Sequence, residues 1–266
     1  MVADGSARTA FLTLEVADHI ARLTINRPDR RNALTHDMWR ELAALVDRAC
    51  AHTSTRVLVI TGTGNDFSAG ADIAEFDTVR RDTETARSYE AANSAAFAAI
   101  RNAPVPTLAS IRGACIGGGF GIAAACDLRI AAEDAVFAVP AAKLGLAYPH
   151  EAMSDIVHAC GPQVARYLTF TGARISASQA LTIGFLAEVI QDGDLRVRTD
   201  DIAGQVAASA PLSVRASKAA IRAVLSGNPG DAERAAVLGA ATFDSADYAE
   251  GRAAFKERRS PQFRGE

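Results

Sequence analysis

The chain has 266 residues, of which 49% are hydrophobic and 22% charged, and its formal net charge is −3 at pH 7. This length and composition are typical of a globular protein that buries a sizeable core, either as one large domain or as one domain with a small appendage. The slightly negative charge disfavours a long basic surface for nucleic acid.

The cysteines and the terminal segment indicate a reducing compartment. None of the four cysteines has a Cys-x-x-Cys spacing, and all lie in apolar contexts, so we predict buried free thiols at Cys50, Cys115, Cys126 and Cys160. The first nine residues have no apolar signal region, and the apolar run 114–126 is too short and glycine-rich to span a bilayer. No His, Cys, Asp or Glu cluster has metal-ligand spacing. We expect a cytoplasmic protein that binds neither a metal nor a membrane.

Strand and helix patterns alternate over about the first 190 residues, which predicts an α/β core followed by a helical C-terminal end. The predicted elements are strands over 11–16 and 20–26, a helix over 36–52 capped by Thr35, a strand over 56–61, a helix over 83–102, a strand over 105–111, a helix ending at 126, strands over 127–131 and 135–139, and only helices after about residue 154. No Gly-x-Gly-x-x-Gly follows the first strand, and no Gly-Lys-Ser/Thr closes the glycine-containing loop at 62–66. Dinucleotide binding and nucleotide hydrolysis are therefore disfavoured.

Two loops combine a preceding buried strand with a following helix. In the first, GACIGGGFGIAAACD at 113–127, consecutive glycines let the backbone approach a ligand closely, and the free N–H groups of the next helix favour negative charge. The second is NDFSAGADIAEF at 65–76. If each loop supplied one N–H group to the same oxygen, they would form an oxyanion hole; two unrelated tight turns are the alternative.

Five stretches, in order along nearly the whole chain, make this sequence similar to the crotonase superfamily of enoyl-CoA hydratases and isomerases. They are INRPDRRNAL at 25–34, FSAGADI at 67–73, GACIGGGF at 113–120 with Cys126-Asp127, TGARISA at 171–177 with Ala180, and AFKERR at 254–259. The resemblance implies an α/β fold of repeated β-β-α turns coiled into a superhelix over residues 1–200. It also implies a helical region over 201–266 that packs on the core and on neighbouring subunits, in a homotrimer or a dimer of trimers.

The resemblance also implies the ligand. An acyl-CoA thioester would bind with its carbonyl oxygen between the backbone N–H groups of Ala71 and Gly118, and these would stabilise a thioester enolate. Coenzyme A would be part of this substrate, with no permanently bound cofactor. Its contacts would lie at Arg27, Arg31, Ala69, Asp72 and Ile73, together with Phe255 and Arg258 from the end of a neighbouring subunit. Solvated loop charges for the arginines and an ordinary helix contact for Phe255 are the alternatives.

This chain departs from the resemblance where the chemistry matters most. Hydratases of the superfamily use two glutamates, and the matching positions here are Gly121 and Ala141. Neither residue can exchange a proton, which general acid–base hydration requires. We therefore expect ordinary hydratase activity to be weak or absent.

The loop 146–152 offers replacements for the missing carboxylates. Tyr148 matches the position where decarboxylases of the superfamily that act on methylmalonyl-CoA-type substrates place a tyrosine, although a pocket wall is the alternative. His150 titrates near neutral pH in its unperturbed state, and Glu151 could act as a displaced acid, as could Glu75 or Asp77. Three hypotheses follow: a hydratase- or isomerase-like enzyme, a decarboxylase or thioester hydrolase using Tyr148, His150 or Glu151, and a catalytically silent acyl-CoA-binding protein.

Overall fold

The computed structural model describes residues 7–8 and 10–266, and its centre is a twisted, mostly parallel sheet. The strands are β1 (Ala7–Arg8), β2 (Leu12–Ala17), β3 (Ile20–Ile25), β4 (Val57–Gly62), β5 (Thr107–Ile111), β6 (Ala114–Ile116), β7 (Leu128–Ala132), β8 (Val136–Ala138), β9 (Arg174–Ser176) and β10 (Glu188–Ile190). Within the described residues, the main sheet has the order β1-β2-β3-β4-β5-β7-β10, antiparallel up to β3 and parallel from β3 onwards. A smaller sheet has the order β6-β8-β9.

Helices connect and cover these strands. They are α1 (His36–Ala51), α2 (Phe76–Val79), α3 (Thr83–Asn102), α4 (Gly118–Ala125), α5 (His150–Thr171), α6 (Ala177–Thr182), α7 (Leu195–Ala208), α8 (Pro211–Ser226), α9 (Pro229–Ala240) and α10 (Ala246–Glu257). Local sequence explains where several of them begin, because capping side chains satisfy the free N–H groups of the first turn. Thr35 accepts from Met38 N at α1, and Asp82 forms a reciprocal capping box with Thr85 at α3.

The main sheet is buried on both faces because successive strand residues point in opposite directions. In β4, Leu58 and Ile60 belong to the large core beneath α1 and α3, whereas Val57 and Val59 pack with α7 on the other face. The α1 helix contributes the residues that its 3–4 spacing predicts, and all are buried: Met38, Leu42, Leu45, Val46 and Ala49. The crossovers from β3 through β7 repeat this arrangement and bring the carboxyl ends of β4 and β5 to the same edge.

The structure confirms most of the predicted elements and corrects the region after residue 154. That region was expected to be helical throughout, but β9 pairs with β8 and β10 extends the main sheet beside β7. Three-residue strands at these positions are too short to show a period-two pattern, and only pairing with distant partners defines them. For the same reason, the sequence missed β6, which separates β5 from α4.

The four cysteines are free thiols, as predicted, with Cys115, Cys126 and Cys160 buried and Cys50 half-buried. Burial raises the pKa of the Cys50 thiol to about 11 and that of Cys126 to about 12. Both thiols are therefore protonated at neutral pH, which makes them poor nucleophiles.

The C-terminal helices form a layer outside the main sheet. The proposed boundary between residues 200 and 201 falls within α7, whose Leu195, Ala203 and Ala207 belong to the sheet core. Beyond α7, helices α8 to α10 carry exposed apolar side chains, including Val224 and Phe255. Among the described residues, no helix is both long and apolar enough to cross a membrane.

Candidate active site

The two loops singled out in the sequence meet at the carboxyl edge of β4 and β5. Ser68 N donates to Ala114 O at 2.8 Å, and Ile116 N donates back to Ser68 O at 3.0 Å. Asp66 Oδ1 accepts from Ala114 N at 2.7 Å. The loop after β4 therefore lies along β6 as an additional short strand pairing, which fixes both loops relative to each other.

Glycine is required where these loops approach each other most closely. Gly70 has a φ of +90°, and a Cβ there would lie 2.7 Å from Gly118 N and 2.6 Å from Ile116 O. A Cβ on Gly119 would lie 2.3 Å from Ser68 O. Since real Cβ atoms do not approach other atoms this closely, the sequence permits the contact by leaving these side chains out.

The backbone N–H groups of Ala71 and Gly118 lie at this junction, and no acceptor for either is found among the described residues. Leu34 and Ala71 form an isolated parallel bridge, in which Leu34 N donates to Gly70 O and Asp72 N donates to Leu34 O. These hydrogen bonds use the backbone groups of the residues before and after Ala71, so the Ala71 N–H group takes no part in the bridge. Gly118 is the first residue of α4, where an N–H group has no intrahelical acceptor. Within the described part of the chain, neither group donates to the backbone outside helices and strands.

A cavity of about 190 Å³ opens beside these two N–H groups. Its walls are mostly apolar and include Ala69, Ala71, Ile73, Phe97, Ile116 and Leu146. Arg80, Glu90, Asn93 and Tyr148 contribute its polar side chains. An apolar cavity with a few convergent polar groups is the usual form of a small-molecule site.

Neither position that matches a hydratase glutamate brings a proton-carrying side chain to this cavity. Ala141 lines the cavity directly. Gly121 is buried in α4, and a Cβ there would lie 2.6 Å from Phe97 Cζ. Phe97 is itself buried and meets the Trp39 ring edge-to-face at 5.6 Å between centroids. The Phe97 ring therefore fills the space that a side chain at residue 121 would enter.

The structure separates the three candidates for moving a proton. Tyr148 lines the cavity, and its hydroxyl lies 3.9 Å from the position of a Cβ on Gly117. Burial raises the pKa of the Tyr148 phenol well above its usual range, so the group is a hydrogen-bond donor at neutral pH and not a base. His150 and Glu151 begin α5, are exposed, and do not line the cavity.

Glu75 and Asp77, the other two candidates for a displaced acid, lie in the short helical segments that follow the loop after β4. Glu75 Oε2 accepts from His36 N at 2.8 Å, at the start of α1. Asp77 is exposed on α2. Neither residue lines the cavity.

Arg27 and Asp72 form a half-buried ion pair next to the cavity. Arg27 Nη1 donates to Asp72 Oδ2 at 2.6 Å and to Ala33 O at 3.1 Å. Burial pushes the pKa of Asp72 up, but the hydrogen bonds from Arg27 and Ala74 N outweigh it and leave the pKa below its usual range. Of the neighbouring residues, Ala69 lines the cavity, and Ile73 both lines it and is 57% exposed.

Arg31 is held by a carboxylate and is not a free loop charge. Its Nε and Nη2 atoms donate to the two oxygens of Asp66, each at 3.0 Å. This hydrogen bonding lowers the pKa of the Asp66 carboxyl. The guanidinium still has an exposed face, since the Arg31 side chain is 60% exposed.

The two C-terminal candidates are exposed and lie apart from this cavity. Phe255 is 88% exposed near the end of α10, and Arg258 terminates that helix in a left-handed conformation. Neither residue lines the cavity of its own chain.

Sequence reasoning missed the part of the cavity formed by α3. Glu90, Asn93 and Phe97 follow a spacing of three and four and so share one helix face, which lines the cavity together with Arg80. The sequence carried only a weak signal for this part of the cavity. A single asparagine in an alanine-rich helix does not show which face of α3 lines a cavity and which face packs on the core. In the described residues no cluster of three or more His, Cys, Asp or Glu side chains could hold a metal ion.

Comparisons with known proteins identify the family of the chain. Residues 15–266 match the family model described as enoyl-CoA hydratase/isomerase. The chain is 34% identical to a crotonyl-CoA hydratase of Syntrophomonas wolfei subsp. wolfei over 257 residues, covering 95% of this chain and 97% of that protein. It is 29% identical to the mitochondrial Delta(3,5)-Delta(2,4)-dienoyl-CoA isomerase of Mus musculus, covering 75% of this chain and 64% of that protein.

The structural comparison extends over the same length. A crystal structure of an enoyl-CoA hydratase/carnithine racemase from Magnetospirillum magneticum superimposes with a TM-score of 0.92 at 33% identity, covering 98% of this chain and 97% of that one. The superhelical α/β fold expected from the sequence is thereby confirmed. The chain belongs to the enoyl-CoA hydratase/isomerase family and has the crotonase fold.

Proposed function

We propose that the protein is an acyl-CoA enzyme that stabilises the enolate of a thioester between the N–H groups of Ala71 and Gly118. The supporting observation is that these two N–H groups, which have no acceptor among the described residues, lie at the close contact of Gly70 with Gly118 and beside an apolar cavity. Such preorganised donors are worth several kcal/mol when negative charge develops on an oxygen. Coenzyme A enters this proposal as part of the substrate.

The proposed coenzyme A contacts surround the mouth of the same cavity. Ala69 and Ile73 line it, and the Arg27–Asp72 pair holds the connection between them in place. The exposed face of Arg31 is available to a phosphate, for which a guanidinium is well suited. Polar groups near the entrance and apolar walls inside fit a thioester whose nucleotide end stays outside.

Ordinary hydration is not the reaction that this cavity favours. Adding water to a double bond requires a positioned acid and base, and the cavity holds an alanine at residue 141 and a phenyl ring against residue 121. Decarboxylation is the second candidate, because it needs a stabilised enolate and no strong base. Tyr148 supports it, since a protonated phenol in the cavity can donate a hydrogen bond near the reacting group. Thioester hydrolysis has less support because it needs a base for water, and His150 and Glu151 lie outside the cavity lining.

Titration with coenzyme A, crotonyl-CoA and methylmalonyl-CoA tests the proposal. We expect calorimetric binding of the thioesters, slow or no hydration of crotonyl-CoA, and release of CO₂ from methylmalonyl-CoA if the decarboxylase candidate is right. Binding without turnover across a broad thioester panel would support the catalytically silent alternative. Absence of any binding would refute the proposed function.

A pair of glycine variants tests the oxyanion hole. In Gly70→Ala, the new Cβ would press on Gly118 N, so we expect turnover to fall by about 100-fold or more. Gly184→Ala is the matched control, because Gly184 has a similar positive φ of +77° but open space around its Cβ. Equal turnover in both variants, with circular dichroism showing that both are folded, would contradict the assignment.

We also propose that the chain self-associates through its C-terminal helices, as a trimer or a dimer of trimers. Exposed apolar side chains on α8 to α10 support this, and among them Phe255 is 88% exposed. Phe255 and Arg258 would then reach the coenzyme A of a neighbouring subunit. Light scattering tests the assembly; a monomer would remove both residues from the proposed site.

A further inference from the structure

The wall of the cavity is not uniformly apolar. Arg80 precedes α3, and Glu90 and Asn93 lie on the face of α3 that lines the cavity. Tyr148 lines it from the loop before α5. None of these side chains is needed to form the two-donor hole, so their presence calls for a separate explanation.

Arg80 is a cation without a carboxylate partner in the described part of the chain. Its guanidinium carbon lies 4.9 Å from the centroid of the Phe76 ring and 4.6 Å from that of the Tyr89 ring, so aromatic faces hold it in place. Its Nε atom is buried and has no hydrogen-bond partner. A buried guanidinium donor without an acceptor is costly. Arg80 also lines the cavity, so its unpaired positive charge attracts an anionic group that enters there.

Asn93 provides a second polar group in the same state. Its Oδ1 atom is buried and makes no hydrogen bond. Rotation of the carboxamide exchanges this oxygen for an NH₂ group, so the side chain can serve as a donor at the same place. Arg80 and Asn93 thus line the same small cavity, and each also carries a buried polar atom that the described residues leave without a hydrogen bond.

We propose that Arg80 and Asn93 form a subsite for a carboxylate carried by the acyl group of the thioester. This inference rests on the proposed function and names its substrate class: a dicarboxylic acid esterified to coenzyme A at one end. A carboxylate accepts several hydrogen bonds at once and pairs in plane with a guanidinium, so one carboxylate can accept from the Arg80 and Asn93 side chains together.

The charge distribution favours a carboxylate over a neutral polar group. Glu90 is the acidic side chain that lines the cavity, but it is exposed and does not come within ion-pair distance of Arg80. Solvent screens the exposed Glu90 carboxylate, whereas Arg80 is half-buried between two aromatic rings. The protonated Tyr148 hydroxyl adds a third potential donor to the same cavity.

Calorimetric dissociation constants for length-matched thioesters test the subsite. The pairs are malonyl-CoA with propionyl-CoA, succinyl-CoA with butyryl-CoA, and glutaryl-CoA with valeryl-CoA, and 3-hydroxybutyryl-CoA represents a neutral polar acyl group. We expect at least one dicarboxylic thioester to bind about tenfold or more tightly than its neutral match, as charge-assisted hydrogen bonds allow. The position of the preferred carboxylate then gives the acyl length.

Variants at neighbouring arginines separate the subsite from general charge. Arg80→Gln should abolish the preference for the dicarboxylic thioester and leave the affinity for free coenzyme A and for the neutral thioesters within about twofold. Asn93→Leu should reduce the same preference. Arg81→Gln is the matched control, because Arg81 is exposed and paired with Asp82, and it should keep the wild-type preference.

The outcomes distinguish the two levels of the proposal. Equal binding of matched dicarboxylic and neutral thioesters, retention of the preference in Arg80→Gln, or tighter binding of the hydroxyacyl thioester would overturn the carboxylate subsite and leave the proposed function standing. If neither coenzyme A nor any thioester binds the wild-type protein, the proposed function fails and the subsite fails with it.

Discussion

Gly121 and Phe97 form a packing pair that can be tested by unfolding. In Gly121→Ala the new methyl group would lie 2.6 Å from Phe97 Cζ, in a core where Phe97 is 3% exposed. Overpacking of this kind costs about 1–3 kcal/mol. Alanine also has a helix propensity better than that of glycine by about 1 kcal/mol. The net change in the free energy of unfolding of Gly121→Ala is therefore a loss of about 0–2 kcal/mol.

The same substitution should behave differently once the ring is removed. In a Phe97→Leu background the close contact disappears, so Gly121→Ala should keep only the propensity gain and stabilise the helix. The double-mutant cycle should then give a coupling free energy of about 1–3 kcal/mol between residues 121 and 97. Urea unfolding at one fixed protein concentration measures all four corners, since self-association makes apparent stability depend on concentration.

Gly204 serves as the control for this double-mutant cycle, because it is a helical glycine that has no contact like the one between residue 121 and Phe97. Gly204 lies inside α7, and a Cβ there would have nothing within 4 Å. Gly204→Ala should therefore stabilise the protein by up to about 1 kcal/mol in both backgrounds. If Gly121→Ala were equally destabilising with and without Phe97, to within about 0.5 kcal/mol, the Phe97 ring would not be what occupies the space next to residue 121.

Three further predictions concern the chemistry and its pH dependence. The double variant Gly121→Glu/Ala141→Glu should hydrate crotonyl-CoA only when Phe97→Ala is added, because the Phe97 ring otherwise blocks the carboxylate at residue 121. Measurable hydration by the double variant alone would contradict this prediction. Tyr148→Phe should lower turnover by about tenfold to 100-fold. The pH profile of turnover should not move, because the raised pKa of Tyr148 keeps its phenol protonated. Loss of an ionisation from this profile would show that Tyr148 acts as a base. Burial raises the pKa of Asp155 to about 6 despite its ion pair with Arg101 of α3. Because the folded state keeps this proton over a pH range in which the unfolded state has lost it, the unfolding free energy of the wild type relative to Asp155→Asn should fall from about pH 4 to about pH 6 and level off above. A rise over this range would refute the raised pKa of Asp155.

The family name and the local chemistry point in different directions for this chain. Family membership brings the expectation of hydration, but the cavity contains no carboxyl at residue 141 and a phenyl ring against residue 121. At residue 121 the neighbouring space is filled by the Phe97 ring, whereas Ala141 lines the open cavity. The proposed function therefore relies on the two N–H groups and Tyr148, and not on two glutamates.

The sequence determined the family, the two glycine-containing loops that meet at the cavity, and the absence of carboxyl groups at residues 121 and 141. These features reside in short contiguous stretches whose glycines and capping residues have local physical reasons. Thr35 begins α1 through its own hydroxyl, and Gly70 permits a positive φ that other residues avoid. The spacing of apolar residues in the buried strands and in α1 could also be predicted, because this spacing repeats within a single helical turn or strand pleat.

Only the tertiary structure decided which side chains share the cavity. Arg80, Asn93 and Phe97 line one cavity with Tyr148, and nothing in their separate sequence neighbourhoods indicates this. The short strands β9 and β10 likewise exist through their pairing with distant partners. The physical reason is the same in both cases: contacts between residues far apart in the chain depend on the relative placement of whole elements, which local periodicity does not encode.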